Sequence, residues 1–154
     1  MKKPKIFSLD NPILCDKALT LDAFGKIAIS LNQLIYLDLD DAWIHTLFPL
    51  LQGDTLKKPN YFANDGIGAH ISVIYPEEKK SIKADELNKL HFFRIKTLVR
   101  ATLGTKNYYT LLVEAPTLIQ LRKNYQLPEL LDFKGYGINL HITLATESLL
   151  EETN

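Results

Sequence analysis

Residues 67–75 read IGAHISVIY, and residues 138–145 read INLHITLA. Both runs are apolar, rich in β-branched residues and bounded by turn-forming or proline residues, so both are predicted to be β-strands. Side chains on a strand point alternately to its two faces. The histidine of each run and the hydroxyl residue two positions later therefore share one face.

The segments before the two runs follow the same order. Residues 34–39 form an apolar, strand-like run, and the following residues to about Leu51 show helical spacing, with Pro49 a predicted end or kink. Residues 108–113 form a second strand-like run, and Pro116 occupies a predicted first helical position. Each half of the chain thus reads strand, helix, loop and a strand that carries a histidine.

We interpret the chain, residues 1–154, as a single domain with two pseudo-repeat halves, about 31–80 and 105–148. Between the halves, residues 84–90 predict a short helix and residues 92–103 predict a strand. Residues 24–31 fit a strand or a helix equally well.

Residues 65–68 read DGIG and lead into the first histidine run. They lack the spacing and the following helix of a nucleotide-binding glycine loop, so they are interpreted as a turn.

The bulk composition describes a globular chain without a charge bias. Apolar residues make up 46% of 154 residues, and 18 Lys and Arg balance 18 Asp and Glu. One cysteine, Cys15, excludes an intrachain disulfide, and no signal-peptide pattern or membrane-spanning run is present. These features favour a reducing, cytoplasmic setting without membrane association.

The two histidine motifs predict a site for phosphodiester chemistry. If the two strands pack side by side, His70 and His141 meet in one cleft together with Ser72 and Thr143. One neutral imidazole would act as the general base and one protonated imidazole as the general acid, while the hydroxyls bind phosphate oxygens. This scheme requires no metal and no other cofactor, and the sequence leaves open which histidine is the base.

The motifs HISV, at residues 70–73, and HITL, at residues 141–144, resemble those of the 2H phosphoesterase superfamily. That superfamily is defined by two His-x-Ser/Thr-x motifs, and it includes 2′-5′ RNA ligase-like and cyclic phosphodiesterase proteins. The resemblance spans residues 34–145, and residues 61–75 are also similar to a bacterial branch labelled RNA-repair-like.

The resemblance implies an α+β, two-lobed, pseudo-symmetric fold, with antiparallel sheets lining a central cleft and helices outside. It also implies metal-independent action on 2′,3′-cyclic or 2′-5′ phosphodiester bonds of RNA ends or small nucleotides. Carried over to this chain, the resemblance implies that His70 and His141 act as acid and base and that Ser72 and Thr143 hold the phosphate.

Two residues just before the second motif are candidate substrate contacts. Lys134 would contact a phosphate and Tyr136 would stack on a base, although turn packing explains both about equally well. Tyr61 and Tyr75 rank lower, because an aromatic residue near an apolar strand more often belongs to the core.

The two remaining histidines, His45 and His91, are assigned structural roles, because each lies among apolar neighbours in the sequence. They are therefore left out of the predicted catalytic set.

The expected ligand is a nucleotide or an RNA terminus bound by a monomer. Long RNA usually needs an extended basic surface, and the sequence offers only scattered pairs: Lys57-Lys58, Lys79-Lys80 and Arg122-Lys123. The alternative function is a catalytically weak nucleotide- or RNA-end-binding module. A third reading, a structural or interaction domain, predicts no pocket between His70 and His141, and imidazoles that lie far apart or face separate cores would support it.

Overall fold

The computed structural model describes residues 1–62 and 66–150. In those ranges ten β-strands are present: β1 (Lys5–Ser8), β2 (Phe24–Ile29), β3 (Ile35–Asp38), β4 (His70–Ile74), β5 (Leu90–Phe92), β6 (Arg94–Leu103), β7 (Lys106–Glu114), β8 (Leu131–Phe133), β9 (Tyr136–Ile138) and β10 (His141–Ser148). The described α-helices are α1 (Pro12–Ala18), α2 (Ala42–His45) and α3 (Pro116–Asn124). Short 3-10 helices follow at Phe48–Leu50, Pro76–Glu78 and Ala84–Glu86.

Eight strands form one antiparallel sheet in the order β1-β6-β7-β10-β4-β3-β2-β5, and β8 and β9 form a separate hairpin. The predicted antiparallel pairing is therefore present, and a mostly antiparallel sheet with the three described α-helices fits the predicted α+β class. The flanking strands are joined through the central β4–β10 pair, so one large sheet is found beside the hairpin. The two strands that carry the histidines lie at its centre.

One face of this sheet packs in the apolar core, and the other face carries the motif histidines and hydroxyls. Ile71 and Ile142 point away from the histidines and are fully buried, in one apolar core with Leu14 of α1 and Leu118 of α3. The helices thus pack on the face opposite the histidines. Because strand side chains alternate, burial of the two isoleucines directs the histidines and hydroxyls to the other face.

Local sequence explains where α1 and α3 begin. The Asn11 side chain accepts a hydrogen bond of 3.1 Å from the Leu14 amide, and Pro12 takes an early position that needs no amide donor. Pro116 plays the same role in α3, as the sequence predicted. Both helices therefore start at sites that satisfy or remove free backbone N–H groups.

Several predicted elements are shorter than expected. The helix expected to run to about Leu51 ends at His45, because Pro49 removes one helical hydrogen bond and its ring would clash with the carbonyl of His45. The helix expected over residues 84–90 is one 3-10 turn, since Asn88 has a φ of 66°. Residues 24–31, for which the sequence allowed a strand or a helix, contain strand β2.

The turn expected at residues 65–68 includes Asp65, which lies outside the described residues. Of that segment, Gly68 has a φ of 69°, a left-handed conformation suited to glycine. Among the described residues, no helix is both long enough and apolar enough to cross a membrane.

Candidate active site

The two histidine motifs are neighbours in the sheet. Strands β4 and β10 pair antiparallel with Ile71 opposite Ile142. This register sets His70 across from Thr143, and Ser72 across from His141. Each imidazole thus has the hydroxyl of the other motif opposite it as well as that of its own motif two residues along.

Both imidazoles are held in the same way. The Nδ1 atom of His70 lies 2.8 Å from the carbonyl oxygen of Gly68, and that of His141 lies 2.8 Å from the carbonyl oxygen of Asn139. A carbonyl oxygen only accepts, so Nδ1 carries the hydrogen in both rings. In a neutral imidazole, Nε2 then keeps its lone pair and is available as a base.

Burial lowers the pKa of both histidines. The pKa of His70 falls to about 4, mainly through desolvation and less through the nearby His141, while the Gly68 carbonyl opposes the shift. Burial also lowers the pKa of His141, and the Asn139 carbonyl opposes it. Both rings are therefore predominantly neutral at pH 7 when the cleft is empty.

The four motif residues line one cavity of about 540 Å³. His70, Ser72 and Thr143 are each 7% exposed, and His141 is partly exposed. A structural or interaction domain was expected to have no pocket between the two histidines, whereas both imidazoles line this cavity. The four motif residues thus converge on one site.

Two tyrosines that the sequence ranked low contribute to the same cavity. The Tyr61 ring lies edge-on to the His70 imidazole, with 4.6 Å between centroids, and its phenol interacts with Thr143. The Tyr75 phenol interacts with Ser72. Burial raises the pKa of both phenols, so both remain protonated hydrogen-bonding groups at neutral pH.

Other wall residues carried no separate signal in the sequence. Tyr108 and Phe133 line the cavity, and their rings meet at a centroid distance of 6.2 Å. Tyr108 lies on a predicted strand, where alternation from Thr110 would have placed it on the cavity face. Phe133 comes from the β8–β9 hairpin, which no sequence pattern connected to the cleft.

Lys134 and Tyr136 lie outside this wall, as far as the described residues define it. Lys134 is exposed in the β8–β9 turn, with its Nζ atom 5.2 Å from the centroid of Phe133. The Tyr136 hydroxyl accepts a hydrogen bond of 3.2 Å from the Gly104 amide. Their predicted contacts with a substrate remain predictions.

His45 and His91 are engaged elsewhere in the fold. Lys58 Nζ lies 3.0 Å from His45 Nδ1, and the His45 ring packs on Phe62 with centroids 4.6 Å apart. His91 Nδ1 lies 2.8 Å from the Thr117 hydroxyl. These contacts agree with structural roles for both residues.

The arrangement is that of a two-histidine phosphoesterase: an antiparallel sheet whose adjacent central strands present paired His-x-Ser/Thr motifs to one cavity. The family model described as Swiss Army Knife, 2H phosphoesterase domain, matches residues 35–149, about three quarters of the chain. The chain therefore belongs to this family of the 2H phosphoesterase superfamily, and phosphoesterase activity in general follows from that membership. No curated protein and no solved structure matches the chain significantly. Assignment to the RNA-repair-like branch remains a prediction.

Replacing Gly68 by Ala is expected to disturb the site through His70. An added Cβ would collide with the Asp41 carboxylate, and the left-handed φ is unfavourable for alanine. We expect a loss of more than about 1 kcal/mol in the free energy of unfolding, measured in urea, together with reduced turnover because the Gly68 carbonyl is displaced.

Gly104→Ala is the matched control, because Gly104 also has a positive φ but no heavy atom lies within 4 Å of its added Cβ. Equal losses of turnover in the two variants would contradict the role of the Gly68 carbonyl.

The lowered pKa of His70 predicts acid sensitivity. The unfolded chain takes up a proton near the ordinary histidine pKa, whereas the folded chain resists protonation until about pH 4. Folding stability is therefore retained above pH 6.5 and falls as the pH drops from 6.5 to 4, by on the order of 3 kcal/mol from this group.

Urea unfolding of the wild type and His70→Gln at pH 7 and pH 4.5 measures this effect, with His45→Gln as the control outside the cleft. The stability of His70→Gln should fall less between the two pH values than that of either other protein. Parallel losses in all three would refute the assignment.

Proposed function

We propose that this protein is a phosphodiesterase that acts on 2′,3′-cyclic or 2′-5′ phosphodiester bonds of small nucleotides or RNA ends. His70 and His141 serve as general acid and base without a catalytic metal. The observation that carries this proposal is the matched anchoring of the two rings: each Nδ1 lies 2.8 Å from the carbonyl oxygen two residues earlier, and both rings line one cavity.

The reaction balances with two imidazoles and one water molecule. The neutral imidazole takes a proton from water through Nε2 as the water oxygen attacks phosphorus. The protonated imidazole gives its proton to the departing ribose oxygen as the phosphorus–oxygen bond breaks. A 2′,3′-cyclic phosphate opens to one nucleotide with a free hydroxyl and a phosphomonoester, whereas a 2′-5′ linkage gives an alcohol and a phosphomonoester as two molecules. The rings return to their starting states by exchanging protons with solvent.

The general acid needs a proton that the empty cleft does not favour. A bound phosphodiester supplies a negative charge beside the imidazoles, and that charge raises the pKa of the nearer ring. Ligand binding is thus expected to bring a proton into the site. This requirement places the optimum of kcat/KM on the acid side of neutrality.

Ser72 and Thr143 are proposed to donate hydrogen bonds to the non-bridging phosphate oxygens. Each hydroxyl lies beside a buried phenol, Ser72 with Tyr75 and Thr143 with Tyr61. These phenols limit the directions in which the hydroxyl hydrogens point. Hydroxyl groups that are already oriented toward the phosphate need little reorganisation in the transition state.

We also propose that the cleft lies on a pseudo-twofold axis between two related lobes. In support, each motif strand pairs with the first strand of its own half, β4 with β3 and β10 with β7. The crossed arrangement of histidines and hydroxyls fits the same relation. A monomer in a reducing, cytoplasmic setting is the proposed working form, and the free thiol of Cys15 agrees with such a setting.

Turnover in the presence of EDTA tests this function. A panel of 2′,3′-cyclic nucleotides and 2′-5′-linked dinucleotides is incubated with the wild-type protein, and the products are separated by chromatography. Cleavage of at least one member supports the proposal.

Binding without turnover across the panel, between pH 5 and pH 8, would favour the alternative of a nucleotide-binding module. That alternative is supported by the lowered pKa of both histidines, because two neutral imidazoles in the empty cleft provide no general acid.

A further inference from the structure

The cavity that contains the histidines has almost no fixed charge in its wall. Among the described residues that line it, Glu77 is the one acidic side chain, and neither lysine nor arginine is present. Residues 63–65 and 151–154, which are not described, contain neither of these cations in their sequence. Among the described lining residues, the imidazoles are therefore the side chains that can carry a positive charge to the phosphate.

One side of the cavity is apolar. Strands β1, β6 and β7 contribute Ile6, Val99, Leu103 and Leu112, and Leu112 pairs with His141 in the sheet. Leu31, which is 85% exposed, extends this apolar surface to the mouth of the cavity. The space beside the histidines thus suits a substituent with little charge.

We propose that the cleft selects a phosphodiester that carries one negative charge and an apolar or aromatic substituent, and that it discriminates against a ligand with a second phosphate. This inference deepens the proposed function and rests on it for the position of the phosphodiester. It narrows the substrate class to mononucleotide-sized cyclic phosphates without a terminal phosphate.

Charge balance is the reason for this selectivity. A single protonated imidazole neutralises the one charge of a phosphodiester. A second phosphate adds one to two further charges that find no cation in the wall, and removing them from water without a partner is unfavourable. Glu77 adds like-charge repulsion on one side of the cavity.

A pair of ligands tests the proposal directly: adenosine 2′,3′-cyclic phosphate and the same compound with a 5′-phosphate. We expect the wild type to bind the first at least about tenfold more tightly, measured by calorimetry, and to favour it by a similar factor in kcat/KM. Equal affinity, or preference for the ligand with the 5′-phosphate, would overturn the inference.

Lysine at the mouth of the cavity should weaken the discrimination. Leu31→Lys and Ile6→Lys place a cation on different elements that line the cavity, and at least one is expected to narrow the affinity ratio by about threefold. Ile13→Lys is the matched control, because Ile13 is 70% exposed on α1, away from the wall. The same change in the control would show a nonspecific charge effect and would count against the proposal.

The two readouts separate this inference from the proposed function. Discrimination in binding without any turnover would remove the catalytic proposal and leave the charge selectivity standing. Turnover of both ligands with equal kcat/KM would uphold the phosphodiesterase and reject the selectivity.

Discussion

Replacing either motif histidine by glutamine is expected to lower kcat on a cyclic nucleotide by about 10²- to 10⁴-fold. His70 and His141 line the same cavity. A carbonyl oxygen contacts Nδ1 of each ring, which leaves Nε2 as the atom that can exchange a proton. A glutamine amide can donate a hydrogen bond to the same carbonyl, but it neither accepts nor releases a proton at neutral pH. The loss should therefore appear mainly in kcat.

His45→Gln is the control for this pair, because the His45 ring packs on Phe62 outside the cavity wall. Circular dichroism and urea unfolding establish that each variant is folded. Turnover that survives within a factor of ten in either motif variant would contradict its role as acid or base.

Replacing Arg122 by methionine is expected to destabilise the fold by about 3–5 kcal/mol. Arg122 is fully buried and pairs with Glu78 through two hydrogen bonds, of 2.9 and 2.6 Å. It also donates to the carbonyl oxygens of Val73, Pro128 and Leu130, at 2.8, 2.8 and 3.0 Å. Without the guanidinium, these acceptors and the Glu78 carboxylate lose a buried partner.

Urea unfolding measures the loss, and the exposed pair Arg94–Glu114 supplies the control. Arg94→Met should change the stability little, because water and salt screen an exposed ion pair. Arg122→Lys should recover only part of the loss, since an ammonium group cannot reproduce the bidentate contact with Glu78. A cost for Arg122→Met no larger than that for Arg94→Met would contradict the structural role.

The buried position of Arg122 also shows what the sequence alone could not predict. The pair Arg122-Lys123 was interpreted as a small basic cluster, but Arg122 is 0% exposed and ties α3 to the end of β4. Its charge is therefore unavailable to a ligand. The sequence shows the residue type, whereas the position of Glu78 and three carbonyl groups depends on the folded chain.

The motif strands were predictable because their alternation and β-branched residues are local signals. That pattern also placed each histidine and its own hydroxyl on one face, as found in β4 and β10. The crossed pairing of His70 with Thr143 was not predictable, since strand register follows from packing of the apolar face and not from either motif alone.

The cavity wall includes two tyrosines that the sequence ranked below Lys134 and Tyr136 as substrate contacts. Lys134 and Tyr136 were favoured because they precede the second motif, yet Tyr61 and Tyr75 line the cavity. Lys134 and Tyr136 lie at the β8–β9 turn, with Lys134 at a φ of 52°, and their neighbours Phe133 and Gly137 line the cavity. Proximity in sequence alone did not show which of these side chains face the cavity, because the backbone reverses between β8 and β9.

His70 and His141 are proposed to act as one acid–base pair on a single phosphodiester. The most direct test is kcat/KM on one 2′,3′-cyclic nucleotide, in EDTA, for the wild type, His70→Gln, His141→Gln and the double variant. Because catalysis needs both the acid and the base, kcat/KM of each single variant should already fall to nearly that of the double variant. Losses that multiply from the single variants to the double variant, or full activity in any of the three, would contradict the paired mechanism.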